Sequence, residues 1–319
     1  MSQTDKTSFI DRALDTAIAP GFSSIGYKVR QKNWTPVVES LDGRTVVVTG
    51  ATSGLGKAAS LDLARLGAEV VLVGRDPGKA ESSRDEIAAR SGNDKVRIEL
   101  ADLSSMSDIR SLAGRLLERE PAVHVLVNNA GSLFNLRSVT PEGIESTLAT
   151  NLLGHFLLTN LLTPRLVESA PSRIINVASG GMYGQRISID NLQNYQGEYK
   201  GAAAYARTKR GQVILTEMWA GQLRDRGVTV NSMHPGWADT PGVVHSLPTF
   251  YKVTRPFLRT PAEGADTIVW LAASEEVAGK TGLFWHDRRA RPTHKSQRTR
   301  ETAGERERLW TALSQLVKE

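Results

Sequence analysis

Short apolar runs alternate with longer amphipathic stretches along most of the chain, beginning at Arg44. The runs are rich in β-branched residues and end in glycine or polar residues, which is typical of buried strands. They read "RTVVVTG", "AEVVLVGR", "KVRIELADL", "VHVLVNNAG", "SRIINVAS", "VTVNSMHPG" and "GLFWHD". Helices are predicted between them, over residues 55–66, 79–90, 106–119, 144–166, 203–226 and 262–273. This alternation predicts a single α/β domain built on a doubly wound parallel sheet with both faces covered.

Two segments flank the alternating region and one interrupts it. Residues 1–43 form an N-terminal lead-in, residues 44–285 carry the patterned catalytic domain, and residues 286–319 form a basic C-terminal extension. Residues 182–202 are polar and contain glycine, so we expect an insertion near the site rather than a second domain.

The lead-in carries Phe9, Ile10, Leu14 and Ile18 roughly on one helical face. We expect this face to pack on the domain; an interfacial membrane anchor is the less favoured alternative. No apolar run approaches the roughly 20 residues of a spanning helix, and the N-terminus does not resemble a signal peptide. A cytoplasmic protein is therefore expected.

The charge and the absence of cysteine narrow the chemistry. The formal net charge is +6, and basic residues concentrate in "HDRRARPTHKSQRTR" from His286 to Arg300. We expect a solvated face or a mobile tail there, and no nucleic-acid partner, since no aromatic residues are interleaved for base stacking. With no cysteine in the chain, disulfides, thiolate catalysis and cysteine–metal sites are excluded. No metal site is predicted.

The first strand leads directly into "TGATSGLG", which contains Gly50, Gly54 and Gly56. A tight strand-to-helix turn and close approach of a pyrophosphate both require residues without a Cβ. The following helix N-terminus offers free N–H groups to the phosphates. The sequence therefore predicts a dinucleotide site here, with Gly-xxx-Gly-x-Gly spacing instead of Gly-x-Gly-xx-Gly.

The end of the second strand favours NADP(H) over NAD(H). An acidic residue there would accept hydrogen bonds from the adenosine ribose, but the chain has Gly74 followed by Arg75. A guanidinium at this place can pair with a 2′-phosphate. The alternative is that Arg75 is an exposed loop residue and Asp76 binds the ribose.

Polar residues also end the third and fourth strands. Asp102, followed by Leu103, can accept from the adenine amino group or can cap the next helix. In "NNAG", Asn128 can hold neighbouring strand ends by side-chain hydrogen bonds. The alanine–glycine pair that follows leaves room for the adenosine ribose.

The candidate catalytic residues lie further along the chain. Tyr205 and Lys209 are four residues apart in "YARTK", so both project from one face of a predicted helix. A nearby ammonium lowers the pKa of a phenol from about 10, which makes Tyr205 a usable general acid or base. Ser179 in "NVASGG" follows a strand end, and its hydroxyl can hold a substrate oxygen. Asn151 lies within a predicted helix, either as a polar contact or as a water-binding group linking Lys209 to solvent.

Together these motifs resemble the short-chain dehydrogenase/reductase family, in family order from residue 44 to about residue 285. The resemblance implies a Rossmann fold and a catalytic tetrad of Asn151, Ser179, Tyr205 and Lys209. It also implies that Thr240, which follows Pro235–Gly236 of "HPG", contacts the nicotinamide amide. The predicted cofactor-binding residues are Gly50, Thr52, Ser53, Gly54, Leu55, Gly56, Arg75, Asp102, Leu103, Asn129, Ala130, Gly131, Tyr205, Lys209, Pro235, Gly236 and Thr240.

Within the family, "YARTKRGQVILTEMWA", "SMHPGWADTPGV" and "FWHDRRARPTH" resemble the dehydrogenase/reductase member 12 branch, which is related to retinol dehydrogenase-like enzymes. Two features depart from compact members: the gap between Ser179 and Tyr205 is wide, and the chain continues past the usual end of the fold. Family members commonly form dimers or tetramers through their long helices, so a homo-oligomer is one expectation.

These observations predict hydride transfer between NADP(H) and a small-molecule carbonyl or alcohol, with Tyr205 as general acid/base. The substrate is expected to be apolar and fairly large, because a long insertion follows Ser179 and apolar residues crowd the segment after "HPG": Trp237, Val243, Val244, Leu247, Phe250 and Tyr251. Ordinary packing of these residues is the alternative. One rival is a non-catalytic, cofactor-sensing or scaffold protein on the same fold. Another is a membrane-surface or nucleic-acid binder that uses the basic extension.

Overall fold

The computed structural model describes residues 3–318, with side chains from Ile10 onward. The eight strands are β1 (Thr45–Thr49), β2 (Glu69–Gly74), β3 (Val96–Leu100), β4 (Val125–Asn128), β5 (Ser172–Val177), β6 (Val228–Met233), β7 (Phe284–His286) and β8 (Arg289–Arg291). The helices are α1 (Gln3–Thr16), α2 (Ile18–Phe22), α3 (Ser24–Arg30), α4 (Gly54–Arg65), α5 (Pro77–Ser91), α6 (Met106–Arg119), α7 (Ser146–Leu148), α8 (Gly154–Glu168), α9 (Gly201–Leu223), α10 (Pro241–Ser246), α11 (Pro248–Thr254), α12 (Pro261–Ala273) and α13 (Ala303–Leu316).

All eight strands belong to one sheet, in the order β3-β2-β1-β4-β5-β6-β7-β8. Strands β1 to β7 run parallel, and β8 pairs antiparallel with β7. The predicted single α/β domain with a doubly wound parallel sheet is confirmed. The order reverses direction at β1, whose neighbours are β2 and β4, and this reversal opens a crevice at the carboxyl ends of the strands.

Helices cover both faces of the sheet. Helices α6, α8, α9 and α13 pack on one face, and α4, α5 and α12 pack on the other. Every residue of β1 and β4 is buried, as the continuous apolar runs predict for a sheet covered on both sides.

The predicted helices are present, with one change of geometry. The helix expected over 144–166 has a π-helical turn at Ala149–Leu153 between α7 and α8. Single π-turns inside α-helices are frequent at functional sites. Asn151 lies in this turn.

The lead-in packs differently from expectation. Ile10 on α1 and Ile18 on α2 are 47% and 53% exposed, whereas Asp11 on α1 is buried. The side chain of Phe9 lies outside the described residues. Part of the apolar face that we expected to pack therefore stays in water. The lead-in is held to the domain by Asp11, which accepts from Arg289 and Arg291, and by the buried ring of Phe22.

Within the described residues, the basic extension also packs on the domain. Trp310 of α13 packs against Phe156 and Trp219, with ring centroids 5.0 and 6.1 Å away. Leu309 and Leu313 are fully buried. No helix within residues 3–318 is long and apolar enough to cross a membrane.

Candidate active site

A cavity of about 550 Å³ opens at the carboxyl ends of the central strands. Seventeen predicted site residues line it: Gly50, Thr52, Ser53, Gly54, Leu55, Arg75, Asp102, Leu103, Asn129, Ala130, Gly131, Ser179, Tyr205, Lys209, Pro235, Gly236 and Thr240. Gly56 and Asn151 do not line it. Residues that are far apart in the sequence thus meet in one place, because parallel strands present their carboxyl ends at the same edge of the sheet.

The glycine-rich turn between β1 and α4 forms one end of the cavity. Gly50 and Gly54 have φ of +63° and +51°, a region that favours glycine. A Cβ on Gly50 would lie 2.8 Å from the Cα of Ala130, and one on Gly56 would lie 2.3 Å from the carbonyl oxygen of Gly50. Gly56 therefore serves the packing of the turn and does not line the cofactor space.

The turn leaves room and hydrogen-bond donors for a pyrophosphate. Helix α4 begins at Gly54, and its N-cap Ser53 makes no side-chain capping bond. The first N–H groups of an α-helix lack intrahelical partners, and here they border the cavity through Gly54 and Leu55. These uncapped donors and the positive helix end fit the diphosphate of a dinucleotide.

The turn is fixed from the β4 side by Asn129 and Thr49. The Asn129 amide nitrogen Nδ2 donates to the carbonyl oxygens of Thr49 and Gly50, at 2.8 and 3.2 Å. The Thr49 hydroxyl accepts from the backbone N–H of Asn129 and Ala130, at 2.9 and 3.0 Å. These bonds hold "NNAG" against the glycine turn.

At the end of β2 the Thr52 side chain packs closely against Gly74. A Cβ on Gly74 would lie 2.5 Å from Cγ2 of Thr52. Arg75 is exposed, and its Nη1 lies 3.6 Å from Oδ2 of Asp102. Asp76 caps α5, where its carboxylate accepts from the N–H of Lys79 at 3.0 Å.

The contacts of Asp102 exclude its predicted role as a helix cap, and its adenine contact stays a prediction; Asn128 has the role predicted for it. Ser105, not Asp102, is the N-cap of α6. Asp102 accepts instead from the N–H and the hydroxyl of Ser104, both at 2.8 Å, and borders the cavity. Asn128 donates to Asn176 on the neighbouring strand β5 at 2.8 Å and to Thr159 on α8 at 2.9 Å. It holds adjacent elements together, as its position at a strand end predicts.

Ser179, Tyr205 and Lys209 form a cluster at the other end of the cavity. Lys209 Nζ lies 5.5 Å from the centroid of the Tyr205 ring and donates to the carbonyl oxygen of Val177 at 2.8 Å. Ser179 lies near the Tyr205 hydroxyl and favours its ionised form. Its Oγ also accepts from the N–H of Gly181 at 3.2 Å.

Burial controls the ionisation of this cluster. It raises the pKa of Tyr205 to about 12, although Ser179 acts in the opposite direction. It also lowers the pKa of Lys209 to about 7. We expected the ammonium to bring the phenol pKa down, but the largest influence on Tyr205 is desolvation, which raises its pKa. Tyr205 is therefore held protonated at neutral pH, as a proton donor requires.

Asn151 is buried beside Lys209, and both polar atoms of the Asn151 side chain hydrogen-bond to the backbone of Ser132. Its Oδ1 accepts from the N–H of Ser132 and its Nδ2 donates to the carbonyl oxygen of Ser132, both at 2.8 Å. A Cβ on Gly131 would lie 3.1 Å from Asn151 Oδ1 and 3.3 Å from Lys209 Nζ. The side chain thus makes a polar contact that fixes the loop after β4, which is one of its two predicted roles; the water-binding role stays a prediction.

Sequence reasoning missed a second buried polar pair behind this cluster. Gln212 Nε2 lies 2.7 Å from His155 Nδ1, and both residues are buried. Burial, with a contribution from the charge of Lys209, lowers the pKa of His155 to about 3. The signal was present in the spacing: His155 follows Asn151 by four residues and Gln212 follows Lys209 by three, which places each pair on one helix face.

The part of the cavity beyond Tyr205 is lined by apolar side chains. It includes Trp237, Val243, Leu247 and Phe250, which were predicted to form the substrate side. Val244 and Tyr251 do not line it. Within residues 3–318, no group of three or more histidine, aspartate or glutamate residues could hold a metal ion.

Known proteins resemble the chain over most of its length. Residues 44–248 match the short chain dehydrogenase family. Dehydrogenase/reductase SDR family member 12 of Homo sapiens is 39% identical over 93% of this chain and 94% of its own length. Retinol dehydrogenase 12 of Bos taurus is 38% identical over 87% of each chain.

Solved structures of similar proteins share the fold of this chain. An uncharacterised protein from Mycobacterium paratuberculosis superposes with a TM-score of 0.71 at 28% identity, covering 88% of this chain and 96% of that one. An NAD(P)-dependent gluconate 5-dehydrogenase from Beutenbergia cavernae, with bound NADP, gives 0.64 at 30% identity over 77% and 95%. The chain belongs to the short-chain dehydrogenase/reductase family and is an NAD(P)-dependent oxidoreductase that acts on CH–OH and C=O groups.

Proposed function

We propose that this enzyme transfers hydride between NADP(H) and the carbonyl or alcohol group of a large apolar substrate, with Asn151, Ser179, Tyr205 and Lys209 as its catalytic tetrad. The observation that carries the proposal is the cluster of Ser179, Tyr205 and Lys209, which lines the same cavity as the glycine turn and the apolar side chains after β6. The cofactor, when bound, supplies or accepts the hydride.

In the direction of reduction, the hydroxyls of Ser179 and Tyr205 bind the carbonyl oxygen. Tyr205 donates its proton to that oxygen as negative charge develops. Lys209 binds the nicotinamide ribose, and its ammonium stabilises the tyrosinate that remains. Asn151 acts through Ser132, since its side chain holds the loop that borders the nicotinamide space.

The preference for NADP(H) rests on three neighbouring residues. Gly74 offers no carboxylate where a ribose would be recognised, and a side chain there would have to displace the Thr52 methyl group. The Asp76 carboxylate caps α5 by accepting from the backbone N–H of Lys79. Arg75 remains, with an exposed guanidinium that can pair with a 2′-phosphate in fork geometry.

An apolar substrate is supported by the cavity wall and by relatives. Leu133, Trp237, Val243, Leu247 and Phe250 border the space next to Tyr205. Several similar proteins carry the name retinol dehydrogenase, and retinol is an apolar alcohol. We therefore extend this class, large apolar alcohols and their carbonyl counterparts, to this chain.

The test is Tyr205→Phe, assayed with NADPH and a panel of long-chain, polyene and small polar carbonyls. The variant lacks only the phenolic oxygen, so it should bind NADPH nearly normally while its turnover falls by about 10²-fold or more. Tyr183→Phe is the matched control, since the hydroxyl of Tyr183 bonds to the carbonyl oxygen of Pro292 outside the cluster. Retained turnover in Tyr205→Phe would remove Tyr205 from the mechanism, and a preference for small polar carbonyls would overturn the substrate class.

A further inference from the structure

The turn between β7 and β8 consists of two charged residues in an unusual backbone conformation. Asp287 and Arg288 have φ of +51° and +53°, in the left-handed region that favours glycine and asparagine. His286 pairs with Arg289, so these two residues form the whole hairpin loop. Strained positions of this kind persist where surrounding contacts fix them, and they cluster near functional sites.

The Asp287 carboxylate is almost fully buried between two arginines. It accepts from Arg259 Nη1 and Nη2, at 2.6 and 2.9 Å, and from Arg30 Nη1 at 2.6 Å. Although burial opposes ionisation, the two guanidinium groups hold the pKa of Asp287 below its usual value. Buried charges of this kind are stable only when they are paired and hydrogen-bonded.

Arg259 connects this carboxylate to the loop formed by residues 235–240, which borders the cavity after β6. Its Nη1 donates to the carbonyl oxygen of Pro235 at 3.2 Å. Its backbone N–H donates to Trp237 at 2.7 Å, and its carbonyl accepts from Asp239 at 2.8 Å. A Cβ on Gly236 would lie 2.5 Å from Arg259 Nε, so the guanidinium lies directly behind the loop.

The lead-in completes the support of the 235–240 loop. The Phe22 carbonyl oxygen accepts from the N–H of Trp237 at 2.8 Å. The Phe22 ring packs edge-on against His234, with centroids 4.4 Å apart, and lies 2.5 Å from where a Cβ on Gly180 would be. Arg30 reaches Asp287 from the same lead-in. The N-terminal segment thus contacts both the 235–240 loop and the turn that carries Ser179.

We propose that Asp287 and Arg259 are positioning residues that hold the 235–240 loop against the nicotinamide half of the cofactor. The inference rests on the proposed function, which places the nicotinamide beside this loop. Neither side chain borders the cavity; they act through Pro235, Gly236 and Trp237. The Thr240 end of the loop lies against the glycine turn, since a Cβ on Gly54 would be 3.3 Å from Thr240 Cγ2. Arg259 acts instead on Pro235, Gly236 and Trp237, and the adenosine half is proposed to bind near Arg75 and Asp102, so loss of this support is expected to weaken the nicotinamide contacts more than the adenosine contacts.

The experiment compares two ligands in calorimetric titrations, at a temperature where every variant is folded. The first is NADPH, and the second is 2′-phospho-ADP-ribose, which lacks the nicotinamide. NADH and ADP-ribose are titrated in parallel, so that the result does not depend on the preference for NADP(H). The variants are Asp287→Asn and Arg259→Lys; lysine keeps the charge but cannot make the fork contacts.

Asp266→Asn is the matched control. Asp266 also accepts two bonds from the hairpin turn, from Arg288 Nε and Nη2 at 2.8 and 2.6 Å. It lies on α12, and neither it nor Arg288 borders the cavity. Its substitution removes a comparable ion pair without touching the 235–240 loop.

We expect Asp287→Asn and Arg259→Lys to weaken NADPH binding about tenfold and to leave 2′-phospho-ADP-ribose within about twofold. Asp266→Asn should change neither ligand. Equal weakening of both ligands by Asp287→Asn and Arg259→Lys would show a general loss of structure and overturn the positioning role, as would no change for either ligand. If the wild-type chain binds none of the four ligands, the proposed function fails and this inference fails with it.

Discussion

Replacement of Arg75 by alanine tests the cofactor preference at the side chain on which it depends. The guanidinium is 69% exposed and already has Asp102 as a neighbour at 3.6 Å. A hydrogen bond to a charged group contributes about 1.5–3 kcal/mol, and exposure reduces this toward the ~1 kcal/mol of surface ion pairs. The expected loss is therefore about five- to tenfold in NADPH affinity. NADH, which lacks the 2′-phosphate, should bind with unchanged affinity.

The assay is a fluorescence titration of wild type and Arg75→Ala with NADPH and NADH at low and at moderate salt. The difference between the two proteins should shrink as salt increases, because exposed charges are screened. Arg84→Ala is the control, since Arg84 lies on α5, pairs with Asp85 and does not border the cavity. Equal losses for both cofactors, or no loss for NADPH, would refute the assignment.

Two further outcomes follow from the packing and charge of the site. Gly56→Ala should destabilise the fold by about 1–3 kcal/mol, because its Cβ would meet the Gly50 carbonyl oxygen at 2.3 Å. Denaturant unfolding measures this loss, with Gly78→Ala as the control at an uncrowded position. An unchanged unfolding midpoint for Gly56→Ala would contradict the packing role. Lys209→Met should raise the melting temperature more at pH 6 than at pH 9. Burial lowers the Lys209 pKa from 10.5 to about 7, so the folded state binds fewer protons than the unfolded state between these two pH values. The native lysine therefore destabilises the fold most at low pH. A rise in the melting temperature of Lys209→Met that did not depend on pH would contradict this.

The regular elements were predictable because the signals that specify them are local. The first six strands lie in apolar runs rich in β-branched residues, and each ends within two or three residues of a glycine or polar motif that also marks the site. Hydrophobic periodicity identified the helices between them. The cavity-lining residues followed from the same patterns, since a parallel sheet brings successive strand ends together.

Features that depend on distant partners were not predictable. Ser132 and Asn151 are nineteen residues apart, and only the fold shows that the Asn151 amide is used by a backbone segment. The pKa of Tyr205 depends on desolvation, which the spacing of Tyr205 and Lys209 does not reveal. The basic stretch after residue 285 resembled a solvated tail because its acidic partners, such as Asp11, lie almost 280 residues away.

The C-terminal helix α13 has a consequence for association between copies of the chain. Its Trp310, Leu309 and Leu313 cover an aromatic strip that Phe156 and Trp219 form along α8 and α9. Phe156 and Trp219 are only 1% and 2% exposed with the helix in place. The chain therefore supplies its own partner for this strip, and a second molecule could use it only after α13 had left. Truncation before α13 would expose this strip as a hydrophobic surface patch, and the truncated chain would tend to aggregate.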